Sequence, residues 1–104
     1  MFKIIDRAAS AIIRRIFGLR FFVVKAEKHF LPNGLRVLKW AVAPASATDG
    51  ELLRIFAASD VPESDETTIW FYSSQKDIGR KPYDVAMLTR PCKGGRPQIT
   101  RVSG

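Results

Sequence analysis

The chain has 104 residues, 46% of them hydrophobic and 26% charged, with a formal net charge of +7; that size and composition give one hydrophobic core and argue against two independent cores or a disordered chain. Its only cysteine, Cys92, and only histidine, His29, exclude an internal disulfide, a thiolate cage for zinc and a His-rich metal site, so no cofactor and no metal are expected. Asp6, Arg7, Arg14, Arg15 and Arg20 break up the apolar N-terminal stretches, so neither a membrane helix nor a secretory leader is expected there, and a reducing, cytoplasmic setting is the simpler reading.

The first element reads as an amphipathic helix over residues 2 to 17. Phe2, Ile5, Ala9, Ile12 and Ile16 recur at helical spacing, Lys3, Arg7, Ser10 and Arg14 form a second stripe, and Gly18 suits a C-terminal stop. From Arg20 to Phe30 the chain is β-branched and aromatic. Val24, Ala26 and Phe30 then alternate with Lys25, Glu27 and His29, which predicts a strand with one buried and one wet face. Pro32, Asn33 and Gly34 form a turn in which Asn-Gly tolerates positive φ, and Leu35 to Ala43 returns as the second strand of a hairpin.

Thr48-x-x-Glu51 has the spelling of a capping box ahead of Leu52, Leu53, Ile55 and Phe56, which predicts a short helix over 49 to 59. A strand over 51 to 58 is the competing reading, and both bury Leu52 and Phe56. Residues 60 to 66, DVPESDE, form an acidic loop, and 67 to 74, TTIWFYSS, a strand central in the sheet. Tyr83 to Arg90 alternates again, with Tyr83, Val85 and Met87 on one face. Residues 91 to 104 make either a flexible basic tail or, over Gln98 to Val102, a short last strand. The fold expected is α+β in a single domain over 1 to 104: an N-terminal helix packed on a mainly antiparallel sheet of about five strands.

No catalytic spelling survives inspection. Ser73-x-x-Lys76 has the letters of a serine acyl-enzyme motif but ends a strand rather than opening a buried helix. His29 falls on the wet side of its strand, and the acidic loop lacks the Gly-centred spacing of a calcium loop. No catalytic residue is therefore assigned and an enzyme is not expected, although a small site assembled only by the fold is a further alternative.

Charge placement carries the functional expectation. Residues 1 to 30 hold seven Lys and Arg against two Asp and Glu, residues 31 to 75 three against six, and residues 76 to 104 seven against two. Two basic ends flanking an acidic centre point to a non-catalytic protein that engages an anionic partner, nucleic acid foremost, through phosphate contacts. The candidate contacts are Arg7, Arg14, Arg15, Arg80, Lys81, Lys93 and Arg96. Arg80 and Arg96 sit in Gly-Arg-Lys-Pro and Gly-Arg-Pro segments of the kind that suit a narrow minor groove. The alternative is a protein-interaction module or homodimer that buries its surplus aromatics, with Trp40, Trp70, Phe71 and Tyr72 also weighed as a base-stacking platform. An anionic membrane surface is a weaker partner, since the core needs the apolar face of the first segment.

Overall fold

The structure, a computed structural model, describes the backbone of residues 2–6, 13–16 and 19–102, and side chains from Arg20 to Val102. In chain order its elements are β1 (Phe2–Asp6), β2 (Ile13–Ile16), β3 (Leu19–Leu31), β4 (Gly34–Val42), α1 (Asp49–Ser59), β5 (Glu66–Tyr72), β6 (Ala86–Arg90) and β7 (Gln98–Arg101), with a 3-10 turn at Gln75–Asp77. The strands join in one mixed sheet, ordered β1, β3, β4, β5, β6, β7, with β2 also paired to β3. The fold is a predominantly β member of the α+β class, with one α-helix among the described residues.

The N-terminal segment departs from expectation. Where helical spacing predicted one helix over 2 to 17, the described residues form β1 and β2, both antiparallel to β3; residues 7 to 12 lie outside the described set. The reason lies in β3, whose 13 residues present a long edge of backbone donors and acceptors that need partners. β1 takes Ala26 to Phe30 of that edge and β2 takes Leu19 to Phe22. Ile4, Ile5, Ile13 and Ile16 are β-branched, so local preference does not oppose the pairing.

The hairpin of β3 and β4 is as expected, but its details differ. Leu31 pairs with Gly34, so Pro32 and Asn33 alone form the turn, and Gly34 is not among the glycines at positive φ. What Gly34 supplies is room: a Cβ there would run into the Asp65 carboxylate, which accepts the Leu35 amide at 2.7 Å. The register shifts between Val23 and Lys25. That irregularity defeats simple alternation: Glu27 is only 4% exposed, while Phe30 is 40% exposed.

After β4 the chain crosses by way of α1 and returns as β5, parallel to β4, with Val37 opposite Thr67 and Val42 opposite Tyr72. The sheet is therefore mixed rather than antiparallel throughout, because a helix between two adjacent strands brings the second back in the same direction. Segment 49 to 59 is a helix, not a strand. Its capping box is complete, the Thr48 side chain accepting from the Glu51 amide at 3.2 Å and the Glu51 carboxylate accepting from the Thr48 amide at 2.8 Å.

Leu52, Ile55 and Phe56 of α1 pack on Ala41, Ile69, Phe71 and Leu88 to make one core. Small residues under the helix, Ala41, Ala43 and Ala86, let it approach closely. β6 begins at Ala86, later than alternation implied, and it is Ala86, Leu88 and Arg90 that are buried, with Met87 half-exposed on the opposite face. β7 pairs antiparallel with β6 and forms one edge.

Candidate functional site: the basic end of the sheet

Parallel pairing of β4 and β5 gives the sheet two unlike ends. At one end lie the starts of β4 and β5, the loop 60 to 65 and the loop 91 to 97. At the other lie the carboxyl ends of β4 and β5, the beginning of β3, strand β2 and the long loop 73 to 85.

The first end is closed by ion pairs. Arg90, 4% exposed, donates through Nε to Asp60 Oδ2 at 2.7 Å and through Nη1 to the Cys92 carbonyl at 2.7 Å, while Nη2 lies 2.9 Å from both the Val61 carbonyl and Ser64 Oγ. Burial alone pushes the Asp60 carboxyl up, but the hydrogen bonds from Arg90 and Thr67 and the guanidinium charge outweigh it and hold the group below its ordinary value. The Asp60 hydrogen bond, against the opposing effect of burial, raises Arg90. Arg36 meets Glu66 at 2.7 Å and Lys93 comes within 4.0 Å of Asp65. Most cations here already have an acid beside them.

The second end is different. Arg20 is exposed and lines a cleft of about 250 Å³ with Phe22, Val42, Ala43, Pro44 and Ser73. Phe22, Val42 and Tyr72 are in register across β3, β4 and β5, so they share the sheet face opposite α1. The loop 73 to 85 straps this face: the Tyr72 hydroxyl donates to the Lys81 carbonyl at 3.0 Å. Burial, then the negative charges of Asp84 and Asp77, push the Tyr72 phenol up. The strap is anchored by Asp84, which accepts from the Ser73 amide at 2.8 Å and from the Ser73 hydroxyl. Burial alone raises the Asp84 carboxyl, but the two Ser73 hydrogen bonds lead the effects that bring it below the ordinary carboxylate value. Gly79, at φ +85, turns the chain so that the Arg80 and Lys81 amides both donate to the Asp77 carbonyl at 3.0 Å. The Gly-Arg-Lys-Pro segment is thus folded into a turn rather than extended, with the Arg80 and Lys81 side chains exposed.

The residues singled out from sequence divide between these ends. Arg80 and Lys81 lie at the second end, and Arg15 and Arg14 of β2 are in register with Arg20 and Phe21 there. Lys93 and Arg96 lie at the first end, and Arg7 is outside the described residues. Arg20 was missed, and so was the cleft: its walls come from three separated segments, and no spacing in the sequence announces them. Ser73 serves as the tether for Asp84, and Lys76 belongs to the 3-10 turn, so the acyl-enzyme spelling has no matching geometry.

The aromatic residues are equally divided. Phe71 is fully buried in the core and Tyr72 is 5% exposed, so neither offers a stacking surface. Trp40 and Trp70 stack on each other with centroids 5.0 Å apart and planes 22° apart. Lys25 lies 4.9 Å from the Trp40 ring, and strand order places it on the side away from Trp70. Trp40 is therefore flanked from both sides and offers no open ring face to a base.

Comparison of the chain with known protein families, with curated proteins and with solved structures gave no match in any of the three. The functional reading rests on this chain's own residues. No helix among the described residues is long and apolar enough to cross a membrane.

Proposed function

We propose that this protein is a non-catalytic binding module that holds an anionic partner, nucleic acid foremost, at the basic end of its sheet. The observation that carries this reading is the gathering, at the end where β4 and β5 finish, of Arg20, Lys76, Arg80 and Lys81 with strand β2 and its Arg14 and Arg15 alongside. Two acids lie among these four cations, Asp84 held by Ser73 and Asp77 4.0 Å from Lys81, so positive charge remains in excess at this end. Cations several residues apart in sequence but at one end of a sheet neutralise successive phosphates and release their counterions. Binding to short single- and double-stranded DNA and RNA at about 50 and 200 mM salt is the test, because phosphate-driven affinity falls steeply over that range. Absence of binding to every oligonucleotide at the lower salt overturns the proposal.

One observation favours a second reading. The sheet face opposite α1 carries half-buried Leu38, Trp40, Trp70 and Met87, the kind of aromatic and sulfur-bearing surface found at protein interfaces. Light scattering on the same samples decides it: a concentration-dependent dimer whose formation is lost in a Trp70→Ser variant supports self-association through this face.

A further inference from the structure

We infer that the cleft at the basic end holds one nucleotide unit, its ring against the apolar wall of Phe22, Val42 and Pro44 and its phosphate on Arg20. The inference rests on the anionic-partner reading and deepens it by naming what part of the partner is recognised and in what state.

Three features of the site lead to this occupant. The cleft's volume, about 250 Å³, falls just below the ~300–1,000 Å³ of sites that take drug-sized molecules, which suits a single ring and not an extended ligand. Its wall is mostly apolar, supplied by Phe22, Val42, Ala43 and Pro44, and flat rings pack well on such surfaces. At its margin Arg20 is exposed and no carboxylate among the described residues pairs with it, so its guanidinium is available for bidentate contact with a phosphate.

The site also predicts what it ignores. Ser73 is the only side-chain hydroxyl of the lining among the described residues, and its proton is committed to Asp84, which leaves it as an acceptor alone. One acceptor cannot separate four bases, so the ring is held by contact area and not by its hydrogen-bonding edge. A base inside a duplex is stacked and paired on both sides and cannot enter such a cleft without being extruded. Single strands are therefore preferred over duplexes, with little base preference. A free nucleotide and a strand offer the same ring-plus-phosphate chemistry, and the experiment separates them.

The experiment uses the full chain and four probes: adenosine monophosphate, adenosine, inorganic phosphate, and a short oligonucleotide supplied single-stranded and as its duplex. Binding is read by affinity and by backbone and methyl NMR shifts, with Arg20→Ala and Val42→Trp as variants; the first alters an exposed side chain and the second fills the cleft. The expected result is shifts at Phe22, Val42 and Ser73 with adenosine monophosphate, weaker ones with either fragment alone, and a single-strand preference of about tenfold or more. Each variant is expected to weaken mononucleotide binding by roughly tenfold, Arg20→Ala through loss of a charge-assisted contact. Val42→Trp is expected to reduce the single-strand preference with duplex affinity unchanged, whereas Arg20→Ala also costs the duplex one phosphate contact. Equal single-strand and duplex affinity, with silent cleft resonances and no effect of Val42→Trp in a variant whose spectrum stays dispersed, overturns the cleft inference and leaves the broader proposal standing. Mononucleotide shifts in the cleft without binding of any oligonucleotide support the cleft and overturn the polyanion reading. Silence with every probe overturns both.

Discussion

The two ends of the sheet carry similar charges and use them oppositely. Where β4 and β5 begin, Arg90 is buried among Asp60, Val61, Ser64, Thr67 and Cys92, and Arg36 and Lys93 each have an acid within 4.0 Å. Where the same strands finish, Arg20 is exposed at a small apolar cleft and Arg80 is exposed on the loop that follows β5. A guanidinium surrounded by acceptors is spent on holding loops in place, while one left in water beside an apolar recess is available to a partner. Counting arginines in the sequence cannot tell the two apart; the partners that the fold supplies do.

The largest effect is expected from breaking the closed end. Arg90→Ala takes away the guanidinium that Asp60, Ser64 and Thr67 share, and removing one member of a buried pair costs about 3–5 kcal/mol, to be read from urea unfolding. The same pair sets an acid limb. Because the folded-state value of Asp60 is depressed, its contribution is present above the ordinary carboxylate range and is lost as pH falls through the folded value. Unfolding midpoints measured from neutral pH downward are expected to fall in acid, and Asp60→Asn to flatten that decline while lowering stability at neutral pH.

A smaller loss is expected at Gly34. An added methyl displaces the Asp65 carboxylate from the Leu35 amide, and because the Asp65 side chain is 48% exposed it swings into water, so Gly34→Ala costs about 1 kcal/mol, one hydrogen bond. Thr48→Ala removes the side-chain half of the capping box and costs a similar ~1 kcal/mol; both are checked by thermal and urea unfolding.

At the open end the same kind of change is expected to leave folding alone. Replacing Arg80 and Lys81 together by Ala is expected to shift stability by no more than ~0.5 kcal/mol, yet to lower the salt dependence of oligonucleotide binding by about one unit per cation. The Lys93 and Arg96 pair is expected to lower it less because that pair lies at the end of the sheet away from the cleft; Lys81 and Lys93 each have an acid at 4.0 Å, so local pairing does not separate the two. If the two pairs prove equal, the contrast between the ends has no bearing on binding.

What the sequence made legible follows the range of the signals. Thr48, Glu51 and the Leu52 to Phe56 spacing act within three turns of chain, and α1 formed as expected, with both Leu52 and Phe56 buried. Pro32 and Asn33 likewise place the hairpin. The N-terminal segment failed because its helical spacing is a local signal, whereas its β-branched isoleucines also tolerate a strand and the edge of β3, remote in sequence, took it up in pairing. The parallel pairing of β4 with β5 and the cleft between Arg20, Val42 and Ser73 are long-range facts with no local spelling. Arg80 and Lys81 were legible as exposed cations from their Gly and Pro neighbours, whereas Arg20 was hidden inside a strand pattern.

The position of Arg90 also bears on the order in which the molecule is made. The crossover it fastens, from α1 through Asp60 and Ser64 into β5, is complete in sequence well before Arg90 is reached at the end of β6. The hairpin of β3 and β4 closes a short loop and forms early, while the parallel pair must first bridge the intervening helix. Its fastening then waits for β6 to find β5. A clasp added after the rest is assembled slows escape from the native state more than it hastens arrival. On this order, Arg90 is expected to act chiefly on the lifetime of the folded protein.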